Sequence, residues 1–245
     1  MKKRNNTRTL DSILEESPRI SPEWWDQQRK AALSLMAERT NQPEHLIVVT
    51  AQHPLEEGVK PNAEFRARLD AAILQISELA SSGAVMHVYV PGSVHMDKGV
   101  VDKVSLASAG TTYLKSHIDQ NVAVNVIIHG DNLNTLYKGN EGVYNGGDEA
   151  FVTASFFKDN DSLGSMTVFC SPGQAHRWEL QSIANGVLPE FIRITPKDMH
   201  MYHEDRGDAM LDKTVVYTLN FDPTWQGSDS FLGQLTREQR RPKTS

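Results

Sequence analysis

The sequence predicts an α/β protein built on a parallel sheet, and three observations carry that prediction. Short apolar, β-leaning runs recur at residues 45–50, 85–90, 122–128, 166–170 and 191–194. Runs of this length and composition suit strands covered on both faces. Helical patterns separate them, and such alternation marks strand–helix–strand crossovers. Each run also ends in small, polar or turn-forming residues, and a parallel sheet gathers those ends on one edge. Together these features define a three-layer, Rossmann-like parallel sheet with an N-terminal helix before it and a C-terminal extension after it.

In chain order, residues 1–20 are polar and charged and read as a flexible arm. Residues 21–222 form the single α/β domain, and residues 223–245 a tail. Ser21-Pro22-Glu23 opens the first helix, with Ser21 as N-cap and Pro22 at the first helical position. Trp24 and Trp25 then serve packing of this helix on the domain, or a surface for self-association. The first strand leads through Ala51-Gln52-His53-Pro54 to Asn62, a good N-cap, and to a helix over residues 63–79. Phe65, Leu69, Ile73, Ile76 and Leu79 are its apolar stripe. The second strand ends in Pro91-Gly92-Ser93 and is followed by a helix over residues 102–115. The third ends in His129-Gly130-Asp131-Asn132. The polar, glycine-punctuated segment 131–147 after it reads as a long loop, a candidate lid. A helix starting near Asp148 runs through Phe156 and Phe157. The fourth strand breaks at Ser171-Pro172-Gly173 into a helix from Gln174 to Asn185, and the fifth closes at Thr195-Pro196. Residues 214–220 are a further strand.

Composition narrows the function classes. A chain of 245 residues can bury a sizeable core. A formal net charge of −6 argues against a broad nucleic-acid surface. Met1-Lys-Lys-Arg4 runs into polar residues, so no secretory signal is expected, and no apolar run is long enough to span a bilayer. The single Cys170 excludes an internal disulfide framework and lies inside a strand, as a small core hydrophobe. A cytoplasmic protein without a membrane partner is the expectation.

The candidate site is the collected carboxyl edge. Gln52, His53, Gly92, Ser93, Asn132, Ser171, Gly173, Gln174 and Arg177 are the candidate ligand-binding residues. Arg177 and the helix start after Gly173 suit an anion. His176 and His129 are the candidate acid–base groups, with Asp131 or Glu149 to orient them. Asp148 and Glu149 also suit plain helix capping. There is no G-x-G-x-x-G after the first strand, no G-x-x-x-x-G-K-[ST] and no G-x-S-x-G elbow. His200 and His203 lack the H-E-x-x-H frame, and no metal is expected.

Over residues 45–194 the sequence resembles the YdcF/SanA/ElyC family of bacterial α/β proteins. The resemblance rests on the order of its pieces. In the family the helix after the first strand carries an arginine, and here Arg66 or Arg68 stands in that place. The second strand ends in Pro91-Gly92-Ser93, where the family has Ser-Gly-Gly. Asp102 and Ala107 stand at the next helix start. Asn145-Gly-Gly-Asp-Glu-Ala150 stands where the family has a Glu-Asn helix, and residues 168–177 run from strand to His176-Arg177. The resemblance implies a Rossmann-like sheet with an anionic or nucleotide-like ligand at its carboxyl edge. Without a membrane anchor the chain looks like the soluble branch, for which S-adenosylmethionine is the suggested ligand. The leading expectation is thus an enzyme of small-molecule metabolism, reaction unassigned. The alternatives are a non-catalytic module binding a nucleotide or S-adenosylmethionine, and a self-associating interaction protein.

Overall fold

The computed structural model describes residues 22–97, 99–170, 174, 178–179, 181–183 and 185–193. A five-stranded sheet organises them: β1 (Glu44–Val49), β2 (Val85–Tyr89), β5 (Val126–His129), β6 (Leu163–Cys170) and β7 (Glu190–Arg193). The spatial order is β5-β2-β1-β6-β7, and every pair is parallel. Two short strands, β3 (Met96–Asp97) and β4 (Val100–Val101), form a separate antiparallel hairpin. The helices are α1 (Pro22–Glu38), α2 (Ala63–Ala80), α3 (Leu106–His117), α4 (Gln120–Ala123), α5 (Asp131–Lys138) and α6 (Gly146–Asp159). A 3₁₀ turn, Gly139–Glu141, follows α5. This is the three-layer, Rossmann-like α/β fold that the alternation of elements predicts.

The strands read as unbroken apolar runs because both faces are covered. On one face Ile47, Val49, Met86, Val88 and Phe169 pack with Phe65, Leu69, Ala72 and Ile76 of α2 and with Ala109 and Leu114 of α3. On the other, Leu46, Val48, Met166, Val168 and Cys170 pack with Leu133, with Ala150, Ala154 and Phe157 of α6, and with Trp178. Leu35 and Met36 bring α1 onto that second face. No helix among the described residues is long and apolar enough to cross a membrane.

Four boundaries differ from the sequence expectation, each for a local reason. The helix expected from residue 102 begins at Leu106, because Ser105 caps it by accepting the Ser108 N–H. Val122 and Ala123 are not strand. The Asp119 carboxylate accepts the Asn121 N–H at 2.7 Å and holds them in the one-turn α4. The third strand is therefore the shorter β5. Segment 131–147 is not a long irregular loop: Leu133 and Asn134 are buried by α5, and the chain then turns at Gly139 and Gly142, both at positive φ. The start of α6 is Gly146, with Asn145 rather than Asp148 as its N-cap. The expected strand at 214–220, the residue 1–20 arm and the 223–245 tail lie outside the described residues, as do His200 and His203.

One close approach keys α1 to the sheet. A Cβ at Gly164 in β6 would sit 2.7 Å from the Arg39 carbonyl oxygen and closer still to that of Gln42. Arg39 in turn donates to the carbonyls of Phe157, Lys158 and Asn160, satisfying acceptors left open where α6 ends. Gly164→Ala therefore forces backbone apart. A stability loss of about 1–3 kcal/mol is expected, read as a lower urea midpoint with an unchanged denaturant slope.

Candidate functional site

The strand order reverses beside β1. From β1 the chain crosses to β2 and then β5 on one side, and β6 and β7 lie on the other. The carboxyl ends of β1 and β6 flank this switch point, where open parallel sheets form a crevice. In this arrangement α2, α3, α5 and α6 all start at the same edge, with their N–H-rich ends beside it.

The end of β1 is braced by a buried cation. Arg68 on α2 is 1 % exposed. Its Nη1 donates to the Thr50 carbonyl and Oγ1, both at 2.9 Å, and to the Ala51 carbonyl at 3.2 Å. Its Nη2 pairs with Glu64, one helical turn away, and lies 3.5 Å from Gln52 Oε1. Thr50 Oγ1 sits 3.1 Å from the Phe169 carbonyl and 3.3 Å from Gln174 Oε1, so the residue also ties β1 to β6 and to the helix after it. Asn62, the N-cap of α2, donates to the carbonyls of Gln52 and Pro54. The backbone that presents Gln52 and His53 is thereby held from three sides.

His53 points Nδ1 at the Asp102 carboxylate, 2.6 Å away. Asp102 belongs to the turn between β4 and α3, so the contact joins the loop after β1 to the loop after β2. Ser93, at the end of β2, uses the same kind of link to a third loop: its N–H donates to the Val143 carbonyl at 2.8 Å, and its Oγ accepts the Val143 N–H at 2.9 Å. Gly92 beside it has φ +107°, and a Cβ there would lie 2.9 Å from Leu106 Cβ, so the start of α3 approaches because the residue is glycine.

At the end of β5, Asp131 accepts the Ser105 hydroxyl at 2.6 Å and lies 3.4 Å from Asn134 Nδ2. Asn134 Oδ1 accepts the hydroxyl of the buried Tyr89 at 2.6 Å. Burial, and then the charges of Glu149, Asp131 and Asp148, push the Tyr89 phenol well above its ordinary pKa, so it stays a hydrogen-bond donor. Asp148 is fully buried, accepts the Tyr144 N–H and the Asn145 amide, and pairs with Lys138 at 3.3 Å. Its role is to close the start of α6, as capping predicts. Glu149 stands in the same first turn, half-buried.

His129 is engaged inside the protein. Its Nε2 is 2.9 Å from His87 Nδ1, and the rings are nearly parallel at 6°. His87 Nε2 meets the Glu44 carboxylate at 3.0 Å, and Ser162 donates to the same oxygen. The carboxylate accepts from His87 Nε2–H, so His87 Nδ1 accepts from His129 Nε2–H. The remaining His129 nitrogen lies 3.3 Å from the Asn132 amide, whose oxygen accepts the Gly130 N–H. Burial, and then His87, lower the His129 pKa to about 4.

Of the sequence candidates, the structure gathers Gln52 and Gln174 around Thr50 and Arg68 and joins His53 to Asp102. It sets Gly92 and Ser93 against the starts of α3 and α6, and Asp131 against Ser105. It turns His129 and Asn132 towards each other. Ser171, Gly173, His176 and Arg177 lie outside the described residues. Arg68, Asp102, His95 and Thr50 belong to the edge but are not among the ligand-binding or acid–base residues that the sequence pattern indicates. Arg68 left a signal: it falls between Phe65 and Ala72 on the buried stripe of α2, where a charge implies a partner. Asp102 left none, being 49 residues from the histidine it holds. Among the described residues no three His, Cys, Asp or Glu side chains are grouped to hold a metal ion. A cavity of about 260 Å³ lined by Lys115, Ile118, Ala123, Val126 and Ile128 lies apart from these groups.

The fold and its edge define a Rossmann-like α/β protein with a polar, internally braced switch point. Comparison of the chain with protein-family models, with curated proteins and with solved structures finds no match.

Two outcomes test this geometry. Arg68→Ala leaves Glu64 and the Thr50 and Ala51 carbonyls just past β1 without that donor, and removing one partner of a buried pair costs about 3–5 kcal/mol. Chemical denaturation should show that loss, with Arg66→Ala, whose Glu56 pair is on the surface, close to neutral. The His129 pKa is lowered to about 4 from 6.5. Between those values the unfolded chain binds the additional proton, so the stability contribution is full above about pH 6.5 and falls away towards pH 4. A series of thermal melts across that window should show a shallower fall for His129→Gln than for the unmodified chain. The partial exposure of the ring keeps the difference below the full linkage value.

Proposed function

We propose that the protein is a YdcF-type α/β protein that binds a small anionic or nucleotide-like molecule at the carboxyl edge of its parallel sheet and acts on it chemically. One observation carries the reading. At the switch point a buried arginine, a threonine and two glutamines converge on the end of β1, and His53 follows them on Asp102, fixed by hydrogen bonds before any ligand arrives. Preorganised polar groups beside helix N-termini favour an anion, since the N–H groups and the dipole need no rearrangement to meet it. The order of sequence pieces, including the position of Arg68 and the His176-Arg177 pair, supports the family. S-adenosylmethionine is the first cofactor candidate on that ground. The cytoplasm is the compartment this reading assigns.

Thermal-shift measurements with pyrophosphate, adenosine nucleotides and S-adenosylmethionine test the proposal. A ligand at a hundred times its dissociation constant adds about 2.7 kcal/mol. A stabilising ligand whose effect is lost in Arg177→Ala, with the unliganded melt unchanged, is the expected result. A panel without any shift would overturn the ligand reading.

A further inference from the structure

The His53–Asp102 contact has the parts of an acid–base device. Asp102 is fully buried, and both of its oxygens are used: Oδ2 faces His53 Nδ1, and Oδ1 accepts the Leu55 N–H at 2.9 Å. A buried carboxylate is costly unless bonded in this way. It is an acceptor, so Nδ1 carries the proton, and in the neutral imidazole the Nε2 lone pair is left bare. Nε2 makes no hydrogen bond to a described residue, and 12 % of the side chain is accessible. His95 braces the arrangement. Its ring lies 4.4 Å from that of His53, tilted by 55°, and its carbonyl accepts the Asp102 N–H at 3.0 Å. The other histidine pair provides a contrast, because there His129 has both nitrogens matched inside the protein.

We propose, resting on the ligand reading above, that His53 is the acid–base group of this site and that Asp102 is its positioning residue. The proton acceptor is Nε2, and the donor is a hydroxyl of the ligand or a water held beside it. The O–H bond breaks, its electron pair stays on oxygen, and the N–H bond forms. Asp102 stabilises the imidazolium, which can return the same proton to a departing oxygen. A contact that merely stapled two loops would use Nδ1 and would need no bare nitrogen at the edge.

Diethyl pyrocarbonate, which acylates neutral imidazole, tests this on the full chain, with rates per histidine read by peptide mass spectrometry across pH. His117 is the internal standard: it is exposed, and its Nδ1 is bonded to the Tyr113 carbonyl rather than to a carboxylate. His53 is expected to reach a limiting rate roughly tenfold above that of His117, and Asp102→Asn to lower that rate, because Nδ1–H loses the carboxylate that orients the ring and leaves Nε2 as the nucleophile. Asn keeps the oxygen that accepts the Leu55 N–H, and a circular dichroism melt checks the fold. Nitrogen-15 shifts of unmodified protein give a second reading that needs no variant: Nδ1–H with bare Nε2 is expected for His53. The Nε2–H tautomer, or rates equal to those of His117 and indifferent to Asp102→Asn, would overturn the proposal. Protection is read separately. If pyrophosphate and S-adenosylmethionine leave a fast His53 unprotected, the ligand reading fails while the device stands.

Discussion

Arg68 is the constraint on which the candidate edge depends. A guanidinium taken out of water carries a large desolvation cost, offset here by Glu64 and by three oxygens of Thr50 and Ala51. Those oxygens belong to the residues just past β1, where the sheet's hydrogen-bond ladder stops and backbone acceptors need other donors. One side chain from α2 thus does the work of an additional strand at that level. The carbonyl of Gln52 meets Asn62 and its side chain meets Arg68, so the next residue, His53, starts from a fixed backbone. Asp102 and His95 complete its placement from the far side.

How much of this was legible in the sequence follows from the range of each interaction. β1, β2 and β6 were legible because strands buried on both faces must be apolar throughout, whatever their neighbours. α2 was legible from its stripe and from Asn62. The sequence overextends the third strand because Val122 and Ala123 have the right chemistry for a strand. Asp119, three residues earlier, has a carboxylate that stabilises a helical turn instead. Segment 131–147 looked irregular because α5 is only eight residues long and buries just Leu133 and Asn134, too little to produce a periodic pattern. The edge as a whole could be anticipated, since strand ends collect there in any parallel sheet. Which side chains touch could not: Asp102 and His53 come from loops set side by side by the sheet order, and nothing local to either announces the other.

The two histidine pairs show how placement decides role. His87 and His129 lie in a chain from Asn132 to Glu44 that runs along the sheet face towards its amino end, with Phe156 against both rings. Every nitrogen in that chain has a partner, and burial keeps His129 in its neutral form at ordinary pH. The chain contributes cohesion, at the cost of sensitivity to acid. Among the described residues, His53 is held through Nδ1 alone.

The β3–β4 hairpin has a consequence for how such a protein can vary. Met96 pairs with Val101 and Asp97 with Val100, and the next rung towards the base is His95 against Asp102. In an antiparallel ladder, adding one residue to each strand keeps every lower rung in register, whereas adding one residue to a single strand shifts the pairing and turns side chains to the opposite face. The tip can therefore grow or shrink in steps of two residues while the support of His53 is untouched. A single-residue insertion within one of the two strands would move Asp102 off its partner. Length at this hairpin is in that sense quantised, and permitted lengths differ by even numbers.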